Sequence, residues 1–288
     1  VRVIVMTAVR GARPIQDKEV YDCYQKFDYK QIMLNEYCDV FHDWIVDSHD
    51  KTISGLDKFK HRHFTLGTSQ AFDNFVLRHA TKQIVNFIGD FQYHACISKY
   101  INHKVIESTV ELEKGQALIL SFPFSDTGCE HVDFKKILET CNQLNIPVCL
   151  DIAYWGIAKD LTLQLDDWHC VQEVACSLSK PFHALETHRV GIRFSRLYTD
   201  DGVCMMNEVG MANNYSMSLG YWFMQKFNNS YIWKKYIDLY YQTCNNLNLK
   251  STDTVIFGIG DQRYSEFNRG IKNNNRVCIS EYLIKGTL

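Results

Sequence analysis

The strongest constraint on the fold is an alternation of two periodicities. Between Phe64 and Ser195, short apolar runs of strand length alternate with longer stretches whose apolar residues recur at helical spacing. The runs include "IVNFI" (84–88), "KVIEST", "QALILSF", "IPVCL" (146–150), "VQEVACS" and "RVGIRFS". Between them, Ala71 to Lys82, the stretch "GDFQYHACISKY" and Val132 to Leu144 read as helices. In the last of these, Phe134, Ile137, Leu138, Cys141 and Leu144 fall on one stripe. Strands separated by helices of about ten to fifteen residues pair in parallel, because each crossover returns the chain to the same end of the sheet. The expected fold class is therefore α/β, a mostly parallel central sheet with helices on both faces.

The ends of the chain depart from this pattern. Tyr29 to Val46 has helical spacing (Ile32, Met33, Tyr37, Val40, Phe41, Trp44), and the polar run "DSHDKTISG" after it reads as a loop. "VRVIVMTAVRG" at the start reads as a strand or an ordered arm. From about 205, a helical region rich in Met and aromatics leads to "YIWKKYIDLYYQTCNNL", then to strand-like "DTVIFGI" and "RVCISEYL". This predicts an N-terminal segment (1–60) packing with the small domain, a large domain (61–204) and a reduced small α+β domain (205–288). A net charge of -2 over 288 residues gives no electrostatic case for nucleic acid or an acidic membrane surface. No apolar run approaches the roughly 18 residues of a membrane span. The 11 cysteines are scattered without CxxC or CxxH spacing, so neither zinc nor a dense disulfide framework is expected. Cys96, Cys149 and Cys176 lie in apolar runs and read as small buried hydrophobes. A reducing, cytoplasmic setting is the expectation.

In a parallel α/β sheet, ligands bind beyond the carboxyl ends of the strands. The polar residues that follow each run are therefore the candidates. After "HFTL", Gly67, Thr68 and Ser69 open a helix whose free N–H groups can cradle a phosphate; alone, they are an ordinary helix start. After "IVNFI" come Asp90 and Phe91, whose ring can stack on a flat ligand or simply pack. His94 follows, near that ring or as a cap. Ser125 stands in the turn "SDTG". Asp151 ends "IPVCL" as a helix cap or as a carboxylate for a protonated ring nitrogen, and Tyr154 offers a phenol to a ring oxygen. Ser177 ends "VQEVACS", Ser179 and Lys180 follow, and Arg189 opens the next run. A partly desolvated lysine is nucleophilic as the free amine, and Arg189 with Ser177 suits a phosphate dianion.

Together these are the fittings for pyridoxal 5'-phosphate. Their chain order resembles the fold-type-I pyridoxal-phosphate enzymes, specifically the class I/II aminotransferase family. The resemblance rests on "GTSQA", "GDF", "SFPFSDTG", "PVCLDIAYWG" and "SLSKPF" with "HRVG", and, near the C-terminus, on "NNNRVCIS". Ser125 and Asp126 stand where that family has asparagine and proline, and the spacing from Lys180 to Arg189 is one residue longer. The resemblance implies a Schiff base on Lys180 and a proton on the ring nitrogen held by Asp151. It implies ring-oxygen contacts from Tyr154 and Ser125, and a phosphate held by Gly67, Thr68, Ser69, Ser177 and Arg189. Phe91 would stack on the ring, Arg276 would hold the substrate α-carboxylate, and two copies would form a homodimer. The implied reaction is amino-group transfer between an amino acid and a 2-oxo acid. Three alternatives stay open: another pyridoxal-phosphate reaction (lyase, decarboxylase or cyclising enzyme), a degenerate binding protein, and a nucleotide-binding protein using the "GTSQ" loop.

Overall fold

The structure, a computed structural model, describes residues 11–97 and 101–285, so the expectation for the first ten residues lies outside the described residues. The strands are β1 (Lys51–Ser54), β2 (His61–Leu66), β3 (Gln83–Phe87), β4 (His103–Ile106), β5 (Gln116–Ser121), β6 (Val148–Asp151), β7 (Leu161–Gln164), β8 (Val171–Ser177), β9 (Val190–Ser195), β10 (Lys250–Ser251), β11 (Phe257–Gly260) and β12 (Asn275–Cys278). The helices are α1 (Lys18–Gln25), α2 (Leu34–Val46), α3 (Gly67–Arg78), α4 (Gln92–Ile97), α5 (Phe134–Leu144), α6 (Gly202–Glu208), α7 (Asn214–Lys226), α8 (Tyr231–Asn246) and α9 (Tyr282–Lys285). Among the described residues no helix is long and apolar enough to cross a membrane.

A 7-stranded sheet in the order β2-β9-β8-β6-β5-β3-β4 forms the centre. Only β9 runs against its neighbours β2 and β8; the other pairings are parallel. Successive side chains of a strand point to opposite faces, and the apolar runs supply both. Ile84, Ala117, Ile119, Cys149 and Ala175 pack beneath Ala71, Phe72, Phe75 and Val76 of α3. Their neighbours in sequence, among them Val85, Leu118, Leu120, Leu150, Val174 and Cys176, enter the larger core with Phe41 of α2, Ile137 of α5 and Phe223 of α7. Strands β10, β11 and β12 form a separate antiparallel sheet. Tyr240 of α8 ties down its connections, accepting from the Thr252 N–H at 2.6 Å and donating to the Phe257 carbonyl at 2.8 Å.

Several local expectations are corrected. The helix expected from Tyr29 starts only at Leu34. The preceding residues are held by tertiary partners instead: Lys30 N–H donates to Ser218 Oγ at 3.2 Å and Tyr29 stacks on Tyr215. The polar run expected to be a loop contains β1, which pairs in parallel with β7, more than a hundred residues away. The "RVCISEYL" strand stops at Cys278, and α9 follows after a turn. Cys149 and Cys176 are buried as expected, but Cys96 is exposed, because α4 turns that face outward. All 11 cysteines carry free thiols.

Candidate active site

The carboxyl ends of β3, β5, β6 and β8, with the start of α3, surround a cavity. Its wall is made of Thr68, Ser69, Phe91, Ser121, Pro123, Ser125, Asp151, Ala153, Tyr154, Ser177, Ser179, Lys180 and Arg189. Residues from four strand ends thus meet at one place.

One end of the cavity is an anion cradle. Gly67 enters α3 with φ +68, a conformation that favours glycine, and a Cβ there would lie 2.7 Å from Arg189 Nη2 and push the guanidinium aside. Thr68 and Ser69 follow in the first turn, where the N–H groups have no helical partner. Arg189 sits at φ 55 in the tight turn before β9 and donates to Ser69 Oγ at 2.8 Å. Among the described residues no carboxylate lies within ion-pair distance of its guanidinium. Ser177 and Ser179 share a 2.7 Å hydroxyl contact on the same wall. A guanidinium without a carboxylate, hydroxyls and helix amides are the donors that a dianion such as phosphate would need.

The middle holds an aromatic ring and a buried carboxyl. Phe91 is half-exposed and is braced edge-on by His94, with centroids 5.5 Å apart. Burial pushes the His94 imidazole down to about 3, and the neutral ring packs edge-on against Phe72 and Phe91. Asp151 at the end of β6 is 5% exposed and accepts the Ala153 N–H at 3.0 Å. Burial raises its pKa to about 7; Asp90 adds to the rise, while the Ala153 hydrogen bond and Lys180 oppose it. A buried carboxyl in this state is poised to take a cationic partner. Tyr154 is buried beside it, edge-on to Phe257 at 5.4 Å.

Lys180 follows β8 and reaches the cavity with its amine donating to the Ala12 carbonyl at 2.8 Å. Burial lowers its pKa, with Glu186, Cys278 and Asp151 acting the other way. Lys180 and Asp151, which come from different strands, therefore face one cavity.

Gly67, Thr68, Ser69, Phe91, Ser125, Asp151, Tyr154, Ser177, Lys180 and Arg189 all come together at this cavity. Arg276 is not in its wall. It is 2% exposed, its guanidinium lies 4.1 Å above the Phe257 ring, and it donates to the Ser125 carbonyl from behind. Ser121, Pro123 and Ala153 are wall residues that strand-end reasoning passed over, since each carries little chemistry of its own. Asp90 is a buried carboxylate that accepts from the Ser121 hydroxyl, from the Ser121 N–H at 3.0 Å and from the Phe91 N–H at 2.6 Å, fixing the wall. Arg269, beside Ser125, had no signal in the sequence, because it lies in a polar loop far along the chain.

No protein-family model matches the sequence. No curated protein matches it either. Solved structures match over nearly the whole chain. The aromatic aminotransferase from Pyrococcus horikoshii OT3 is 14% identical, with 96% of this chain and 92% of that chain covered and a TM-score of 0.66. The aspartate aminotransferase from Thermus thermophilus, with maleate, is 12% identical, with 96% and 88% covered and a TM-score of 0.65. The PLP-bound C-S lyase from Staphylococcus hominis is 12% identical, with 96% and 88% covered and a TM-score of 0.63. The chain therefore has the fold of the fold-type-I pyridoxal-phosphate enzymes, the fold shared by these aminotransferases and this C-S lyase.

Proposed function

We propose that the chain binds pyridoxal 5'-phosphate in this cavity and catalyses amino-group transfer between an amino acid and a 2-oxo acid. The observation that carries the reading is the meeting of Lys180 and Asp151 in one cavity whose far end is the Arg189–Ser69 anion cradle. The residues fit the cofactor. Thr68, Ser69, Ser177 and Arg189 would hold its phosphate, Phe91 would cover the ring, and Asp151 would pair with the ring nitrogen. Tyr154 and Ser125 would face the ring oxygen. When bound, the cofactor supplies an electron sink for a carbanion at the substrate's Cα.

The chain's own groups do the rest. Burial disfavours the charged form of Lys180, whose amine would take a proton from Cα and return it. Asp151, once opposite a cation, ionises and holds the proton on the ring nitrogen. The cradle fixes the orientation, so that the Lys180 amine stays at reacting distance. Arg276, the residue expected to hold the substrate carboxylate, lies behind Ser125 and would contribute positive charge to that end of the cavity.

A second reading, carbon–sulfur lyase chemistry, is supported by the Staphylococcus lyase, which matches almost as well as the aminotransferases. The test has two stages. Cofactor added to the protein gives a visible absorption band that is absent from Lys180→Ala; a folded wild type without that band leaves a binding protein as the answer. Incubation with amino acids then gives a 2-oxo acid matched by a new amino acid. Ammonia release in place of the new amino acid would establish the lyase instead.

A further inference from the structure

Arg269 is built into the structure with unusual care for a loop residue. Its loop is stapled by Asn268, whose side-chain amide donates to the Ile271 carbonyl at 2.7 Å and the Asn274 carbonyl at 3.1 Å. Asn274 in turn donates to the Asp126 carbonyl at 2.8 Å and the Asp126 carboxylate at 2.7 Å. The loop is pressed onto the β3–α4 turn so closely that a Cβ on Gly89 would lie 2.7 Å from Ile271. The Arg269 side chain is 15% exposed. It donates to the Asp90 carbonyl at 3.1 Å and to Ser125 Oγ at 3.2 Å, and its nearest carboxylate, Asp126, is 3.9 Å away.

The consequence falls on Ser125, a wall residue of the cavity. Its Oγ accepts from Arg269 at 3.2 Å and from Arg276 Nη1 at 3.5 Å. A guanidinium has donors only, so neither neighbour can take the hydroxyl hydrogen; the Arg276 contact is the weaker of the two, since its Nη1 donates chiefly to the Ser125 carbonyl. Among the described residues no acceptor takes the hydroxyl hydrogen. That hydrogen is left for an acceptor in the cavity. We infer that Arg269 is a positioning residue, which with Arg276 makes Ser125 an obligate donor into the cavity and biases that end toward an anionic oxygen.

This inference rests on the proposed cofactor reading, in which the oxygen facing Ser125 and Tyr154 is that of the cofactor ring. A hydroxyl hydrogen turned toward the ring oxygen favours its ionised form and disfavours a proton shared between it and the Lys180 nitrogen. The test is a pH titration of the visible band of the cofactor-loaded protein. In Arg269→Gln the midpoint moves up by about one pH unit, and Arg269→Lys, which keeps the charge but not the fork, returns most of the way to wild type. In a Ser125→Ala background the Arg269→Gln shift largely disappears, because the intermediary is gone. An unmoved midpoint overturns the inference, as does an equal shift with and without Ser125. Arg269→Met, matched in length, replaces the Gln variant if circular dichroism shows the latter unfolded. Should wild type form no Lys180-dependent band, the cofactor reading fails and this inference falls with it. A band with an unmoved midpoint sinks the inference alone.

Discussion

At the scale of single residues, the cavity wall sets ionisable side chains in surroundings that shift their ordinary behaviour. Asp151 is the clearest case. Burial holds its carboxyl at about 7 in the folded chain, against an ordinary value of 3.8. The folded state therefore keeps a proton that the unfolded chain has already lost, and stability falls as pH rises between those two values. Below the ordinary carboxylate value both states are protonated and the penalty vanishes. Cofactor-free Asp151→Asn, which keeps the Ala153 hydrogen bond, is expected to match wild type in acid. Above pH 7 it should be more stable by roughly 2–4 kcal/mol. Urea denaturation across that range checks it; parallel curves for the two proteins would refute the perturbed carboxyl. On the proposed reading, bound cofactor would reverse the order, since Asn cannot pair with a cationic ring nitrogen. Most of the side chains that line the cavity were legible beforehand, because a hydroxyl, an Asp or a Lys directly after an apolar run points to the ligand end of a parallel sheet. Arg269 was not, because what makes it matter is the carbonyl and the hydroxyl it touches, and those belong to a segment more than a hundred residues earlier.

At the scale of elements, α3 is held so that its first turn stays at the cavity. Arg78, at its far end, donates to both Glu173 of β8 and Asp201, while Arg193 of β9 grips Asp201 with two N–H groups at 2.5 and 3.0 Å. Asp201 also caps α6 through the N–H groups of Val203 and Cys204. Arg193 is fully buried, and its pairing with Asp201 holds that carboxyl well below the usual range, against the upward push of burial. Asp201→Asn would leave a buried guanidinium under-compensated and should cost about 3 kcal/mol in chemical denaturation. Cofactor affinity should weaken as well, because Thr68 and Ser69 ride on α3. Affinity that stays the same in a destabilised variant would show that the network serves the core alone. The two arginines and the two acids are spread over four elements, and no spacing in the sequence links them. The strands β8 and β5 were readable from their apolar runs. The pair β1–β7 was not, because short half-polar strands carry no clear period and are made strands by each other.

At the scale of the whole molecule, the segment before α1 is bound to the rest by buried charge. Asp17 is 0% exposed, caps α1, and takes a 2.7 Å ion pair from Lys235 and a 2.6 Å hydrogen bond from Tyr236, both on α8. The same segment brings the Ala12 carbonyl to Lys180. Domain limits at residues 60 and 204 remain our proposal, as does a homodimer. For the dimer, sedimentation equilibrium at micromolar concentration should return about twice the 33.6 kDa chain mass. A fully active monomer would remove that assembly from the account.

What the sequence by itself determined is the layered α/β core and the identity of the groups at its strand ends. Both follow from periods and neighbours within a few residues, which a linear text preserves. Tertiary structure alone decided the seating of Arg276 behind Ser125 rather than in the cavity wall, the acid–base state of Asp151, and the partnership of Arg269 with Ser125. Each of these depends on burial and on contacts between distant segments, and electrostatic energies in a low-dielectric interior are set by those surroundings, not by the residue's own chemistry.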